Sequence, residues 1–130
     1  MSERQLTLLA ALNMMVAVGA GAFGAHRLKR MLSPGLLVIW QTGVSYHLVH
    51  ALGLFIVALM MGRFTSSLLA TAGLLMFVGI VLFCGSLYVL ALTGMRPLGM
   101  VTPLGGVAFL LVWALIVPGA PTTGHERLTA

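Results

Sequence analysis

The chain has 130 residues and only nine charged ones, seven Lys+Arg and two Asp+Glu. Hydrophobic residues make up 60% of it. A soluble domain carries roughly a quarter charged residues, so 7% charge excludes a water-facing globular surface and a disordered chain alike.

The charged residues are Glu3, Arg4, Arg27, Lys29, Arg30, Arg63, Arg96, Glu126 and Arg127. They leave four long uncharged stretches, 5–26, 31–62, 64–95 and 97–125. A spanning helix takes roughly 20 apolar residues, so each stretch holds one crossing. The expected fold is an all-α membrane protein, four transmembrane helices in a compact bundle, with 1–118 as one domain. The net charge of +5 sits in loops between apolar spans. That placement fits topology signals and lipid headgroups, and no basic patch interleaved with aromatics points to nucleic acid.

The first span is expected at 6–25. A cleaved signal peptide is the rival, since Ala20-Gly21-Ala22 has small residues at the right spacing. Glu3 beside Arg4 and the Arg27, Lys29, Arg30 cluster argue for a retained helix. Residues 26–45 are a connector. Ser33-Pro34 reads as an N-cap followed by proline in the first helical turn. LLVIWQTG then suggests a short interfacial or re-entrant helix at about 34–43, with Trp40 at headgroup level. The alternative is an early start of a long, tilted second span. Gly35 and Gly43 favour a break near Gly43.

The second span is placed at 44–61, the third at 67–92 and the fourth at 97–117. Pro103 should kink the fourth or restart it with Thr102 as cap, and Pro118 and Pro121 should end it. A polar tail, 119–130, completes the chain. Loops 1 and 3 share a side and hold Arg27, Lys29, Arg30 and Arg96. The termini and loop 2 hold Arg4, Arg63 and Arg127. The split is nearly even, and the loop 1 cluster leans the orientation toward a cytoplasmic loop 1.

No carboxylate lies inside a span, which removes the usual carrier of proton or cation transport. Paired-carboxylate hydrolysis and a Ser-His-Asp triad have no residues to use. Cys84 is the single cysteine, so neither an intramolecular disulfide nor a CxxC site can form.

The remaining polar candidates are neutral. His47 and His50 are three apart on the second span, and Thr42, Tyr46 and His50 form a stripe. The functional reading is a metal or haem pair, or a relay for protons or a quinone-like headgroup. The structural alternative, interhelical hydrogen bonding, is favoured, because a histidine pair without acid or cysteine support is a weak ligand set. Asn13 sits mid-span and needs a partner. Cys84 and Tyr88 are four apart, and Cys84 reads as a packing residue.

Small residues form seams. Ala17, Gly21 and Ala25 recur every fourth residue, and Gly79, Ser86 and Thr93 every seventh. Thr102, Gly106, Phe109 and Trp113 share a face of the fourth span. These seams fit intrachain packing, a lined cavity or a homo-oligomer surface.

Four blocks now stand out: GAFGAH at Gly21–His26, QTGVSYHLVH at Gln41–His50, LFCGSLYVLAL at Leu82–Leu92 and TPLGGVAFLLVWAL at Thr102–Leu115. In these the chain resembles the YgdD/YwdK-like small inner-membrane proteins, the domain of unknown function 423 family, and related eukaryotic small transmembrane proteins. The resemblance implies a multi-pass protein of the bacterial inner membrane and supplies no activity. It places His26, Tyr46, His50, Ser86, Tyr88 and Thr102 at the heart of the pattern. Family members often carry an acid near Ser45 and another near Gly35, both absent here. At position 47 glutamine also occurs.

The expected site is one polar cluster of His26, Gln41, Tyr46, His47, His50, Ser86, Tyr88 and Thr102 on the loop 1 and loop 3 side. No catalytic residue, metal or cofactor is assigned. The leading functional expectation is a non-enzymatic structural or accessory protein, associating with itself or a larger membrane complex, with membrane lipids as partners. The alternative is binding or transport of a lipid, quinone or small solute at that cluster, and a haem or metal site at His47 and His50 comes third.

Overall fold

The computed structural model describes residues 1–119, and the expected tail beyond Gly119 lies outside the described residues. Four helical rods cross in chain order, each long and apolar enough to span a membrane. We label them α1 (Glu3–Met31), α2 (Pro34–Arg63), α3 (Ser67–Thr93) and α4 (Thr102–Gly119), the last preceded by a 3₁₀ turn at Arg96–Met100.

Each start follows from local chemistry. Ser2 Oγ accepts from the Gln5 N–H at 3.1 Å, and Gln5 Oε1 accepts from the Ser2 N–H at 2.9 Å. This capping box begins α1 three residues earlier than apolarity alone indicates. Ser33 caps α2 by accepting from the Leu36 N–H, with Pro34 in the first turn as expected. Ser66 caps α3 in the same way through the Leu68 N–H. Gly94 ends α3 at φ 70°, a left-handed position that glycine takes without strain. The chain restarts at Thr102 with Pro103 in the first turn. Pro118 does not stop α4, which runs on to Gly119; Pro121 lies outside the described residues.

The separate interfacial helix at 34–43 does not form. Pro34–Arg63 is one unbroken helix of 30 residues. Gly43 is a packing site rather than a break: an added Cβ would meet the Tyr88 ring at 2.9 Å. A mid-helix glycine costs about 1 kcal/mol, and close contact with α3 offsets it. At about 1.5 Å per residue the helix exceeds the roughly 30 Å hydrocarbon thickness, so it tilts or projects. Trp40 is likewise not a headgroup anchor. It is buried, and its Nε1–H donates to the Ala20 carbonyl at 2.9 Å.

Two rods carry a π turn, Gly24–Leu28 in α1 and Ile80–Cys84 in α3. The first carries α1 past the expected end at residue 25, out to Met31.

Helix α1 packs mainly on α2, α3 mainly on α4, and α2 joins the two pairs. The main core gathers Leu6, Leu54, Val57, Leu69, Met76, Phe109 and Val112. A second core, Leu28, Trp40, Val44 and Ala91, ties the end of α1 to the end of α3. Loops 1 and 3 therefore share one end of the bundle. Glycines let helices approach: Gly73 receives Leu6, Gly53 receives Met76, Gly79 receives Phe109, and Gly105 lies on the Phe83 backbone. Of the first-span seam, Ala17 is buried and Gly21 lies against Val44 of α2. Ala17 and Gly21 are thus consumed within the chain, while Ala25, the last member of that seam, is exposed. The outer faces, such as Leu8, Leu12, Met15 and Val16 of α1 and Leu104 and Leu110 of α4, are aliphatic and exposed, as a lipid-facing surface requires.

Candidate functional site

Polar side chains at membrane depth must find partners inside the protein. His47 is buried at the junction of α1, α2 and α3. Its Nε2 lies 3.2 Å from Asn13 Oδ1, and its Nδ1 lies 2.9 Å from the Tyr88 hydroxyl. Asn13 Nδ2 donates to the Leu9 carbonyl at 2.9 Å, which turns Oδ1 toward the ring. An amide oxygen only accepts, so Nε2 carries the proton, and Nδ1 accepts from the Tyr88 O–H.

His50 carries the opposite tautomer. Its Nδ1 lies 2.7 Å from the Tyr46 carbonyl, which only accepts, so Nδ1 is the donor. Trp113 Nε1–H donates to His50 Nε2 at 3.2 Å. The imidazole also stacks on Phe109, with centroids 3.6 Å apart. Three residues of helix turn the two rings to different neighbours, His47 to α1 and α3 and His50 to α4.

A third polar unit joins α3 to the start of α4. Ser86 Oγ donates to the Phe83 carbonyl at 2.9 Å and lies 2.6 Å from Thr102 Oγ1. With its one proton so used, Ser86 accepts from the Thr102 hydroxyl.

The eight expected residues therefore do not form one cluster. His47 pairs with Tyr88, and Ser86 pairs with Thr102. Tyr46 and His50 face a groove, while His26 and Gln41 stand apart on the exposed surface. His26 lies on the π turn of α1, beside a cleft of about 440 Å³ lined with Arg27, Arg30 and Met31. Gln41 lies in a smaller recess of about 170 Å³ between α1 and α2, with Gly21, Gly24 and Ser45. The π turn and the unbroken α2 cause this separation, since the expected cluster assumed a short α1 and a connector at 26–45. Thr42, Tyr46 and His50 keep one face of the unbroken α2, but Thr42 Oγ1 donates to the Val38 carbonyl of its own helix.

The groove between α2 and α4 measures about 450 Å³. Its walls are the rings of Tyr46, His50, Phe109 and Trp113, with Pro103 and Leu110. Tyr46 is half exposed, its ring packs on Phe83 at 4.5 Å, and nothing among the described residues hydrogen-bonds its hydroxyl. The groove thus offers flat aromatic walls and one uncommitted polar group. Phe109 and Trp113 line the groove; sequence reasoning placed them on one face of the fourth span, with a lined cavity among its readings, but not among the site residues. The signal was the depth of His50, which required a donor from a facing span.

Metal ligation has little to work with. Both ring nitrogens of both histidines are engaged inside the protein, and among the described residues no three His, Cys, Asp or Glu side chains are grouped. Cys84 is buried in the main core.

The family model described as "Protein of unknown function (DUF423)" matches residues 20–106. The chain belongs to the DUF423 family. The match takes in all eight expected site residues and stops short of Asn13, Phe109 and Trp113. Among its relatives is the UPF0382 membrane protein YwdK of Bacillus subtilis, 52% identical over 114 residues, which are 87% of this chain and 93% of that protein. A UPF0382 membrane protein of Staphylococcus epidermidis is 50% identical over 110 residues, 85% of this chain and 89% of its own length. One from Staphylococcus saprophyticus is 47% identical over 112 residues, 86% and 92% of the two chains. None of these names carries an activity. No solved structure matches the chain significantly. The DUF423 chain described here is an integral membrane protein, in keeping with its relatives' names and its four spanning helices.

Proposed function

We propose that this protein is a non-enzymatic accessory component of the bacterial plasma membrane that takes a lipid-phase amphiphile into the lateral groove between α2 and α4. The ligand class is a flat or chain-like apolar molecule with one hydrogen-bonding head, such as a quinone. The groove carries this reading. Its volume falls within the roughly 300–1,000 Å³ usual for small-molecule sites, it opens toward lipid, and the Tyr46 hydroxyl supplies the polar contact. A non-catalytic role is supported by the commitment of both buried histidines to structural hydrogen bonds and by the lack of any carboxylate in a span. Much of the seams that would favour self-association, Gly21 and Gly79 included, is occupied by the chain's own side chains.

Quenching of Trp113 fluorescence tests the reading. In a Trp40→Phe background a short-chain quinone should quench Trp113 saturably. Gly106→Leu should abolish the saturable part, because Gly106 lines the groove and the Phe83 ring, 3.8 Å from its added Cβ, leaves room there. Quenching that rises without saturation, and identically in both proteins, would be partition into lipid and would refute the proposal.

A further inference from the structure

We infer that the cleft at the π turn of α1, walled by His26, Arg27 and Arg30, binds the phosphate headgroup of an anionic phospholipid. Three observations carry this. The first is charge. Arg27, Lys29 and Arg30 are exposed and lie within one turn, and Arg96 lies in loop 3 at the same end of the bundle. Glu3 is the one acid among the described residues, and it lies at the other end, over Gly62. The cations of loop 1 therefore have no carboxylate partner at their own end among the described residues, and their counter-charge must come from outside the chain.

The second observation is backbone geometry. The π turn Gly24–Leu28 widens the helix by one residue where the cations begin. Leu28 stays fully buried in the second core while His26, Arg27, Lys29 and Arg30 all point outward. The result is a fan of donors around a cleft of about 440 Å³ instead of a single stripe. Two guanidinium groups can chelate phosphate oxygens by paired N–H donors.

The third observation selects a lipid over a soluble ion. Met31, 63% exposed, forms one wall of the cleft, and Phe23, 42% exposed, lies one turn deeper. Cations with an apolar ring one turn beneath them, at Phe23, match a phospholipid, whose phosphate sits above its chains, while Met31 lies beyond the cations at the outer end of α1. A soluble phosphate has no use for that deeper ring.

Native mass spectrometry of the full chain tests this in micelles holding equal phosphatidylglycerol and phosphatidylethanolamine. Micelles have no sidedness, so a change in orientation caused by removing cations does not enter the result. Wild type should retain phosphatidylglycerol in preference. The loss should be about fivefold for each cation removed, so roughly 25-fold for Arg27→Gln/Arg30→Gln. Arg27→Lys/Arg30→Lys, which keeps the charge and loses the fork, should fall between. Arg63→Gln, at the far end, should retain lipid as wild type does. Helical circular dichroism identifies any variant that fails to fold, and the Lys pair then serves as the test. The inference is overturned if the folded Gln pair keeps the wild-type preference. It is overturned equally if Arg63→Gln loses as much, which would mean diffuse charge, or if inorganic phosphate alone displaces the lipid, which would mean a soluble-ion site.

Discussion

Replacing Asn13 by leucine tests whether the hydrogen bonds of His47 hold three helices together. In the wild type the His47 Nε2–H donates to Asn13 Oδ1, and Nδ1 accepts from the Tyr88 hydroxyl. Asn13→Leu leaves that N–H buried without an acceptor. Interhelical hydrogen bonds in membranes average about 0.6 kcal/mol and reach about 1.7, and an unsatisfied buried donor costs about 1–3 kcal/mol. The expected loss is about 1–2 kcal/mol. His47→Leu removes both bonds and strands both the Asn13 oxygen and the Tyr88 hydroxyl, so it should cost about 2–3 kcal/mol. The double variant removes both members of the buried pair and should cost less than the sum, with a coupling of about 1 kcal/mol. Unfolding in mixed micelles of rising SDS content, followed by helical circular dichroism, measures all four proteins. Strict additivity, or an Asn13→Leu protein as stable as wild type, would refute the idea that the network couples α1 to α2.

Single contacts give further expected outcomes. Gly43→Ala should destabilise by about 1–3 kcal/mol in the same assay, because the new Cβ meets the Tyr88 ring at 2.9 Å. Gly85→Ala, with nothing within 4 Å of its added Cβ, should stabilise by up to about 1 kcal/mol. Trp113→Phe leaves the His50 Nε2 lone pair without a donor and should cost about 1 kcal/mol. Cys84 is buried, so a membrane-permeant maleimide should label it only after SDS unfolding; rapid labelling of the folded protein would contradict the packing of the main core.

The spans were readable because charge is so scarce that nine positions partition the chain. The third span lies where sequence reasoning placed it to within one residue, and a helix starts at Ser33-Pro34 as expected, though it is the second span itself; of the two readings of Pro103 the restart holds, with Thr102 inside the helix rather than capping it. The break at Gly43 was misread, since a glycine that weakens an isolated helix is indistinguishable in sequence from one that admits a tyrosine ring. The π turns left no signal either. The sevenfold spacing of Gly79, Ser86 and Thr93 survives the π turn between its first two members and fails only at its last, along regular α-helix. Gly79 meets Phe109 and Ser86 meets Thr102, but Thr93 is exposed and donates to its own helix at the Val89 carbonyl. The partners of Asn13 and His47 were inferable in kind, as buried polar groups needing one another, and only the fold pairs them.

Each π turn holds one residue more than the α-helix it interrupts. Deleting a residue within Ile80–Cys84 would shorten α3 by one position while regenerating a regular α-helix, and the faces on both sides could keep their partners. The same deletion farther up the helix, in Leu69–Gly73, would rotate Met76 out of the core by about 100°. Length variation among DUF423 chains should therefore be tolerated at two internal points of their membrane helices, where a gap in an alignment is ordinarily taken as an error.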